Sequence, residues 1–293
     1  MVLAANNVRG AIWIVGAAAV ATVMSAGVHE LAGSIHSAQT VFIRGAAGSL
    51  IIFSLSFLQS GFRFRTERLK LHVVRGLIGV IAINLGFYSI MILPLATVTA
   101  LFFTTPLFVT AFSIPLLGEK VGVRRALASV LGFLGAVIVI GYLPEPFSIR
   151  WLAPIFASTA FALTLILGKK LSTTENAGTI VLYFAMILGA GSLPPAILTW
   201  ETPTMREWVL LIMVAATSSL RNYMDVRGYA LGEAHFVAPF IYTRMIFMII
   251  VGYFVFSEIP TLSAMLGASV IVLSTLYITY RELARGKTSV AAI

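Results

Sequence analysis

The stretch Ala96–Leu117 reads ATVTALFFTTPLFVTAFSIPLL, which is 22 residues without one charged side chain. Its apolar residues do not alternate with polar ones, so it is unlike a transmembrane β-strand, which has a polar lumen face. A helix of about 20 apolar residues crosses a hydrocarbon core of about 30 Å. The stretch therefore predicts a transmembrane helix, and it decides the fold because similar stretches recur along the chain.

Nine further apolar stretches accompany this one, separated by glycine, proline and other turn residues. Of the 293 residues, 59% are hydrophobic and 11% are charged, whereas about 25% are charged in soluble domains. These figures predict an all-α polytopic membrane protein with no room for a soluble catalytic domain. The ten predicted spans are 10–29, 39–58, 74–93, 95–117, 127–143, 151–168, 178–199, 208–229, 235–256 and 262–280.

The positive charges predict the orientation of the chain in the membrane. With the N-terminus inside, fifteen of the twenty lysines and arginines, Arg75 among them, fall in cytoplasmic segments, and only Arg150 and Arg206 fall in outer loops. Because Lys and Arg are enriched in cytoplasmic loops, we expect both termini in the cytoplasm and the protein in the cell (inner) membrane. This distribution explains the net charge of +9 without a nucleic-acid partner.

The spans divide into two sets of five, residues 1–143 and 144–293. A shift of 139 residues superimposes each span of the first set on a span of the second, and it matches Thr104 with Thr243. Because five is odd, the second set is expected to enter the membrane inverted relative to the first. Inverted repeats are a recurring design of secondary transporters, in which the substrate site lies near the midplane between the repeats.

Several chemistries lack the residues they need. The pair Gly168-Lys169 is not part of a Walker-type phosphate loop, and Asp225 is the only aspartate, so an intramembrane aspartyl protease is excluded. There is no cysteine, and the four histidines fall at span ends or in loops, which disfavours a Ser–His hydrolase or a metal site. We therefore expect no enzymatic activity, no metal and no cofactor.

Three arginines fall inside the predicted spans, where a charged side chain is costly and is a functional-site hypothesis by default. Arg244 suits either a clamp for a substrate carboxylate or a structural pair with Asp225 or a carbonyl cluster. Arg221 and Asp225 are four residues apart, so we expect a structural or gating ion pair, with proton coupling through Asp225 as the alternative. Arg44 is expected to pair with Glu30 as a structural contact or an outer gate.

Polar side chains on other spans complete the predicted substrate site. Asn84 and Tyr88 are one turn apart, and the 139-residue shift matches them to Tyr223 and Arg227; hydrogen bonding between packed helices is the alternative. Pro106 frees a carbonyl in a threonine-rich span, and kinked spans of this kind often line cavities. The predicted substrate-binding residues are Asn84, Tyr88, Thr97, Thr104, Thr105, Tyr223, Tyr242 and Arg244.

Three short stretches of the first half carry a family resemblance: Leu93–Leu101 (LPLATVTAL), Thr105-Pro106 and Leu117–Lys120 (LGEK). They resemble the EamA module of the drug/metabolite transporter (DMT) superfamily, and GYAL at 228–231 keeps the outline in the second half. The resemblance implies a ten-helix transporter with a central cavity that exports small metabolites, similar in general character to the YddG-type amino-acid exporters. We read Glu119 as a loop-ordering residue that could pair with arginines just after it.

These observations predict a secondary or facilitative exporter of amino acids, neutral ones including hydrophobic or aromatic ones, that works by alternating access. Arg244 would bind the carboxylate of the substrate. Efflux of amphipathic cationic drugs is the alternative, disfavoured because Asp225 has arginine neighbours; a non-transporting membrane protein, such as a lipid-handling enzyme or a scaffold, is a second alternative. The expected partners are the small-molecule substrate and the lipid bilayer, and a monomer is compatible with this function.

Overall fold

The computed structural model describes residues 2–31, 33–56, 64–92, 101–140, 149–256 and 262–288, and these residues are almost entirely helical. Ten helices of 13 residues or more follow one another along them. They are α1 (Val2–Leu31), α2 (Ser37–Ser56), α3 (Leu69–Ile92), α4 (Thr105–Leu117), α5 (Val123–Ile140), α6 (Leu152–Leu171), α7 (Ala177–Leu198), α8 (Met205–Leu231), α9 (Arg244–Phe256) and α10 (Leu262–Thr288). A 3-10 turn, Ile149–Trp151, precedes α6.

Each predicted span overlaps one of these helices, because uninterrupted apolar sequence is a strong helix signal, but the fourth and ninth spans overlap α4 and α9 over their second halves only. Within the described ranges, six segments are long and apolar enough to cross a membrane by length and composition alone. They lie in α1, α2, α3, α6, α7 and the segment Ala234–Val251. The all-helical fold class is therefore confirmed, with six spans supported by this measure.

Local sequence explains where several helices begin and end. Asn176 caps α7, since its Oδ1 accepts a hydrogen bond from the Thr179 backbone N–H at 2.8 Å. Thr204 and Glu207 form a capping box at the start of α8. Gly118 ends α4 with a φ of 68°, a left-handed conformation that glycine adopts without steric cost.

The most extensive packing joins helices from different halves of the chain. The four pairs are α1 with α8, α2 with α7, α3 with α6, and α5 with α10. Glycines permit the close approach: a Cβ on Gly10 would lie 2.7 Å from the Gly228 carbonyl oxygen, and one on Gly45 would lie 2.6 Å from the Gly189 Cα. The set is symmetric between the two halves of the chain. If each helix is exchanged for its counterpart five places away, the α1–α8 pair becomes the α6–α3 pair, and the α2–α7 and α5–α10 pairs are unchanged.

The fourth and ninth spans are interrupted at corresponding positions. A turn that includes Thr104 precedes α4, while the 3-10 segment Ala238–Thr243 precedes α9. The 139-residue shift matches Thr104 with Thr243 and Thr105 with Arg244. Both matched threonines donate from Oγ1 to the carbonyl three residues earlier, each at 2.6 Å. The two interruptions therefore agree in position and in the hydrogen bond that they contain.

Four helix ends meet at one end of the bundle: the start of α1, the ends of α4 and α6, and the junction between α8 and α9. A buried apolar cluster fills the space between them, with Ile14, Ile166 and Phe236 each at most 1% exposed. At about 25 cal/mol per Å² of buried apolar area, such contacts supply the main stabilisation available to these helix ends in water. We call this end of the molecule the junction end.

Candidate functional site

Arg244 is the first residue of α9, at the point where the 3-10 segment becomes an α-helix. Its Nη2 donates to the Ser25 Oγ on α1. Its Nε is buried and has no hydrogen-bond partner within the described ranges. No ion pair joins Arg244 to Asp225, which was one of the two readings of this arginine, and its one hydrogen-bond partner within the described ranges is the neutral Ser25.

Arg44 occupies the eighth position of α2 and provides a second guanidinium of this kind. No hydrogen bond or ion pair joins it to another residue of the described part of the chain. Gly48 lies one turn further along, and a Cβ there would be 2.7 Å from the Ser219 Oγ of α8. Since residues four apart share a helix face, Arg44 lies on the side of α2 that packs against α8.

The expected ion pair between Glu30 and Arg44 is wrong. Glu30 instead accepts a hydrogen bond from Arg206 Nη2 at 2.9 Å, and both side chains are exposed. The reason is the packing of α1 along α8, which brings the end of α1 beside the start of α8. Arg44 lies two turns inside α2, away from this surface pair.

The charge of Arg221 acts on both Arg44 and Arg244. The spacing of four residues produces the expected ion pair, with Arg221 Nε 3.5 Å from Asp225 Oδ2. The guanidinium also lies over the Phe161 ring, 5.1 Å from its centroid. We call Arg44, Arg221 and Arg244 the arginine centre; Asp225 is its paired carboxylate.

Arg75, which sequence reasoning counted among the cytoplasmic positive charges, is buried between helices. The side chain is 2% exposed and donates to the Thr164 carbonyl at 3.0 Å, the Ile180 carbonyl at 3.1 Å and Asn222 Oδ1 at 3.2 Å. It also lies 4.4 Å from the centroid of the Phe184 ring. Arg75 is the second residue of the predicted span 74–93, and because α3 begins earlier, at Leu69, it lies two turns inside the helix.

Asn84 and Tyr88 of α3 were predicted to bind substrate, but their described contacts lie away from the arginine centre. Asn84 donates from Nδ2 to the Val80 carbonyl of its own helix at 2.8 Å. Tyr88 is 53% exposed and shares the face of α3 that carries exposed Leu77 and Ile81. The described contacts therefore bring neither residue to the arginine centre.

The predicted threonines and tyrosines are held by local contacts. Thr104 and Thr105 donate to backbone carbonyls three residues earlier, and Thr97 lies outside the described residues. Tyr242 is fully buried near Phe103, with ring centroids 5.8 Å apart, and its hydroxyl has no partner among the described residues. The ring of Tyr223 stands edge-on to that of Trp13, with centroids 6.2 Å apart.

The junction end carries an ionic cluster centred on Glu119. Its carboxylate accepts hydrogen bonds from Lys169 Nζ at 2.7 Å, from the Ala234 backbone N–H at 2.7 Å and from His235 Nδ1 at 2.7 Å. Asn7 Oδ1 of α1 accepts from the Glu233 backbone N–H at 2.8 Å. The cluster joins four helix ends, and Lys169 and His235 were not anticipated as partners of Glu119.

Glu119 is a strongly stabilised anion. Burial would raise the pKa of its carboxyl group, but the hydrogen bonds from His235, Lys169 and the Ala234 N–H, with the charge of Lys169, outweigh burial and lower the pKa to about 2. The side chains of the two arginines that follow Glu119, its expected partners, lie outside the described part. Two features of the sequence pointed to this cluster: the Lys169-Lys170 pair and the glutamate of the LGEK motif.

A second cluster at the same end joins the start of α3 to the loop between α6 and α7. Glu175 accepts a hydrogen bond from Thr66 Oγ1 and lies 2.9 Å from His72 Nε2. Arg68 Nη1 donates to the Lys170 carbonyl at 3.3 Å. The two clusters together tie both halves of the chain at the junction end.

Helices that pack across two halves of the chain, with arginines buried between them, define a polytopic helical membrane protein with a charged centre. The profile of the EamA-like transporter family matches residues 8–141 and, a second time, residues 149–280. The chain belongs to this family and is a multi-pass membrane transporter. This result confirms the resemblance that the sequence motifs indicated.

Curated relatives within the same range of similarity carry several different cargoes. An S-adenosylmethionine uptake transporter of Rickettsia bellii is 29% identical over 248 residues, which cover 85% of each chain. A riboflavin transporter of Vibrio cholerae is 32% identical over 237 residues, covering 79% of this chain and 80% of the relative. A pseudopaline exporter of Pseudomonas aeruginosa is 28% identical over 263 residues, covering 86% and 89%.

A solved crystal structure has the same fold over nearly the whole length. It superimposes with a TM-score of 0.80 and covers 96% of this chain and 98% of its own. The sequence identity is 14%, so this likeness concerns the fold alone.

Proposed function

We propose that this transporter exports small metabolites that carry a carboxylate, amino acids first among them, as a secondary or facilitative carrier. The observation that carries the proposal is Arg244, a partly buried arginine with a buried Nε, which lies at a break in the ninth span and has one neutral hydrogen-bond partner within the described ranges. A charge at membrane depth is costly without a counter-ion. The planar fork of a guanidinium matches the two oxygens of a carboxylate, which makes this anion the best complement.

The matched breaks in the fourth and ninth spans support a site at this position. Transporters with repeated halves commonly bind substrate near the membrane midplane, where interrupted helices from the two halves meet. In this chain the breaks fall at Thr104 and Thr243, directly before Thr105 and Arg244. The break in the ninth span comes directly before Arg244. The break in the fourth span lies at the corresponding position of the other half.

The proposed architecture is ten transmembrane spans in two inverted five-helix repeats, residues 1–143 and 144–293, around a central cavity. Two matches to one family profile support the division, as does the set of helix pairs that exchange halves. The charge distribution along the sequence supports cytoplasmic termini in the inner membrane. Alternating access would then be a rocking of one repeat against the other.

This topology assigns the junction end to the cytoplasm and the Glu30–Arg206 pair to the outside. The Glu119 and Glu175 clusters would keep the cytoplasmic side closed and must break for substrate to enter from the cell. The Arg221–Asp225 pair lies between the two sides and would respond to the substrate bound beside it.

Riboflavin is a second candidate cargo, favoured by the 32% identity to the riboflavin transporter over 79% of this chain. Transport of riboflavin would depend less on Arg244, because its neutral ring system has no carboxylate for the guanidinium to bind. The same reconstituted protein can test both cargoes under identical conditions.

The test uses purified protein in liposomes loaded with radiolabelled leucine, phenylalanine, glutamate, succinate or riboflavin. We expect saturable efflux of one or more carboxylate substrates, and an efflux rate lower by about tenfold or more in Arg244→Gln. A tenfold loss corresponds to about 1.4 kcal/mol of binding free energy. Arg9→Gln, which changes an exposed arginine of α1, is the matched control. Wild-type rates in a well-folded Arg244→Gln protein would contradict the carboxylate role, and efflux of riboflavin alone would replace it.

A further inference from the structure

The carboxylate of Glu119 lies among four hydrogen-bond donors. Its Oε1 accepts from Lys169 Nζ and from the Ala234 backbone N–H, each at 2.7 Å. Its Oε2 lies 2.7 Å from His235 Nδ1 and accepts from the His235 backbone N–H at 3.1 Å. Because an ionised carboxylate only accepts hydrogen bonds, Nδ1 carries the hydrogen of that contact. Two donors therefore face each oxygen, and we call Lys169, Ala234 and His235 the donor set.

The donor set and the carboxylate that it binds come from different halves of the chain. Glu119 lies in the first family match, residues 8–141, and the donor set lies in the second, residues 149–280. The loop between α4 and α5 carries Glu119, whereas the donors lie at the end of α6 and at the junction between α8 and α9. A motion that separates the two halves at this end therefore removes the carboxylate and leaves all four donors together on one half.

Contacts within the second half hold the donors independently of Glu119. Lys169 Nζ also donates to the Gly232 carbonyl, which fixes the end of α6 to the junction. The His235 side chain is fully buried, and its Nε2 lies 3.7 Å from Glu233 Oε2. Donors that are already in place bind a ligand at a lower entropic cost than donors that must first be ordered. The donor set is therefore preorganised for a carboxylate when Glu119 leaves.

Opening this end without another anion is costly for Lys169. Its side chain is 18% exposed, and without Glu119 its remaining described partner is the neutral Gly232 carbonyl. A partly buried charge that loses its counter-ion keeps its desolvation cost. A substrate carboxylate supplies the same charge and the same two oxygens as Glu119. The exchange needs no proton transfer, because a glutamate released into water stays ionised at neutral pH.

The surface beside Glu119 provides space for such an exchange. Glu119 borders a cavity of about 580 Å³ that is also lined by Ile114, Lys120, Val121 and Gly122. Pockets for small molecules commonly have volumes of about 300–1,000 Å³. A metabolite of the size of an amino acid therefore fits next to the carboxylate that it would replace.

We infer that the donor set is a carboxylate site for the substrate on the cytoplasmic side, and that Glu119 occupies it when this side is closed. The inference rests on the proposed function, which supplies the carboxylate substrate and the topology, and it adds an entry site to the site at Arg244. The substrate carboxylate displaces Glu119 and binds Lys169 and His235 in its place. Since a ligand stabilises the state that it binds better, the cytoplasmic side opens when substrate is present.

Chemical rescue tests the donor set without any transport measurement. Glu119→Ala removes the carboxylate and leaves space for a small one. Excess sodium acetate at neutral pH should raise the unfolding temperature of this variant by about 2–4 °C, measured by differential scanning fluorimetry. Sodium chloride at the same ionic strength and acetamide, the neutral isostere, should not. Neither wild type, whose site is filled, nor Glu119→Ala/Lys169→Met, which lacks the charged donor, should respond to acetate.

The direction of change in two variants tests the role in transport. The measurement is the half-saturating concentration of whichever labelled substrate, leucine, phenylalanine, glutamate or succinate, leaves the liposomes saturably. Glu119→Gln weakens the competitor and should lower this concentration, whereas Lys169→Met removes a donor and should raise it about tenfold. A purely structural contact predicts the same direction for both, because either substitution breaks it. Lys120→Gln, which changes an exposed lysine of the same loop, is the matched control.

The outcomes separate the inference from the proposed function. If folded Glu119→Ala does not respond to acetate, or responds equally to acetamide, the donor set is not a carboxylate site and the proposed exporter stands. A shift in the same direction in Glu119→Gln and Lys169→Met would also overturn the inference, and it decides the question if Glu119→Ala does not fold. No saturable efflux of any carboxylate substrate would overturn the proposed function, and the entry role with it.

Discussion

Arg75 and Arg244 are both arginines buried between helices, and their surroundings are opposite. Arg75 is 2% exposed, donates three hydrogen bonds to α6, α7 and α8, and lies over an aromatic ring. Arg244 donates one hydrogen bond to a serine and leaves a buried Nε without a partner in the described structure. Among the described residues, the same side chain has three protein acceptors in one region and a single hydroxyl acceptor in the other.

Under the proposed function, the difference separates a charge that stabilises the fold from a charge that binds the substrate. Removing one partner of a buried, satisfied charge leaves the others unpaired and costs several kcal/mol. Removing a charge that the protein does not satisfy takes away a desolvation cost instead. The stability of substituted proteins therefore provides a direct test of the comparison, independent of any transport measurement.

The largest loss of stability is expected for Arg75→Met. Methionine fills similar space but leaves the Thr164 and Ile180 carbonyls and Asn222 Oδ1 without their donor, which should cost about 3–5 kcal/mol. We expect a sharp fall in monodisperse yield in detergent and in the unfolding temperature. Arg75→Lys, which keeps one charge and loses the fork, should fall in between. An unchanged unfolding temperature in Arg75→Met would remove the distinction drawn here.

Glu119→Gln should have the next largest effect. The amide keeps the shape of the side chain and loses the charge that Lys169 and His235 bind, at a cost of about 1–3 kcal/mol. Differential scanning fluorimetry at neutral pH measures it. A loss as small as that of a surface substitution would mean that the junction end is held by its apolar cluster alone.

The same residue predicts a pH dependence. Because the pKa of Glu119 is lowered from an ordinary value of 4.5 to about 2, its contribution to stability is complete above about pH 4.5 and is lost as the pH falls toward 2. Wild type and Glu119→Gln should therefore differ in unfolding temperature at pH 6 and converge in strong acid. A difference that stays constant over this range would show that the carboxylate charge is not responsible.

Arg206→Ala should change stability by about 1 kcal/mol or less. The ion pair with Glu30 has side chains 79% and 49% exposed, and pairs of this kind contribute little because water and salt screen them. Unfolding temperatures in low and high salt check this directly. A larger loss would indicate that the outer end depends on this contact more than its exposure suggests.

The sequence predicted the helices well and the partners of charged residues poorly, for a physical reason. Long apolar stretches such as Ala177–Leu198 are helical in almost any membrane context. Glu30 and Arg44 were expected to pair because both were placed near the outer face, yet the packing of α1 along α8 pairs Glu30 with Arg206 instead. Pairing depends on which helices touch, and this information lies in the fold.

Arg75 illustrates the same limit at a helix boundary. It follows a run of basic residues at the edge of the predicted span 74–93, which is typical of a cytoplasmic flank, whereas α3 begins at Leu69 and leaves the side chain 2% exposed between helices. Arg244, in contrast, was recognisable from sequence because it falls in the middle of an apolar span. The matched breaks before α4 and α9 needed backbone geometry, since Pro106 and Pro239 indicate a kink without fixing its extent.

The smallest effect on stability is expected where the proposed effect on transport is largest. Arg244→Met should leave the unfolding temperature unchanged or raise it, because methionine replaces a guanidinium that pays a desolvation cost for one hydroxyl partner, Ser25. Arg44→Met should behave in the same way, since that side chain has no hydrogen bond to lose in the described structure. Thermal unfolding of both proteins without added substrate measures this, beside Arg75→Met in the same detergent. If Arg244→Met unfolds as readily as Arg75→Met, then Arg244 is held by the fold after all, and the difference between the two arginines is one of contacts rather than of role.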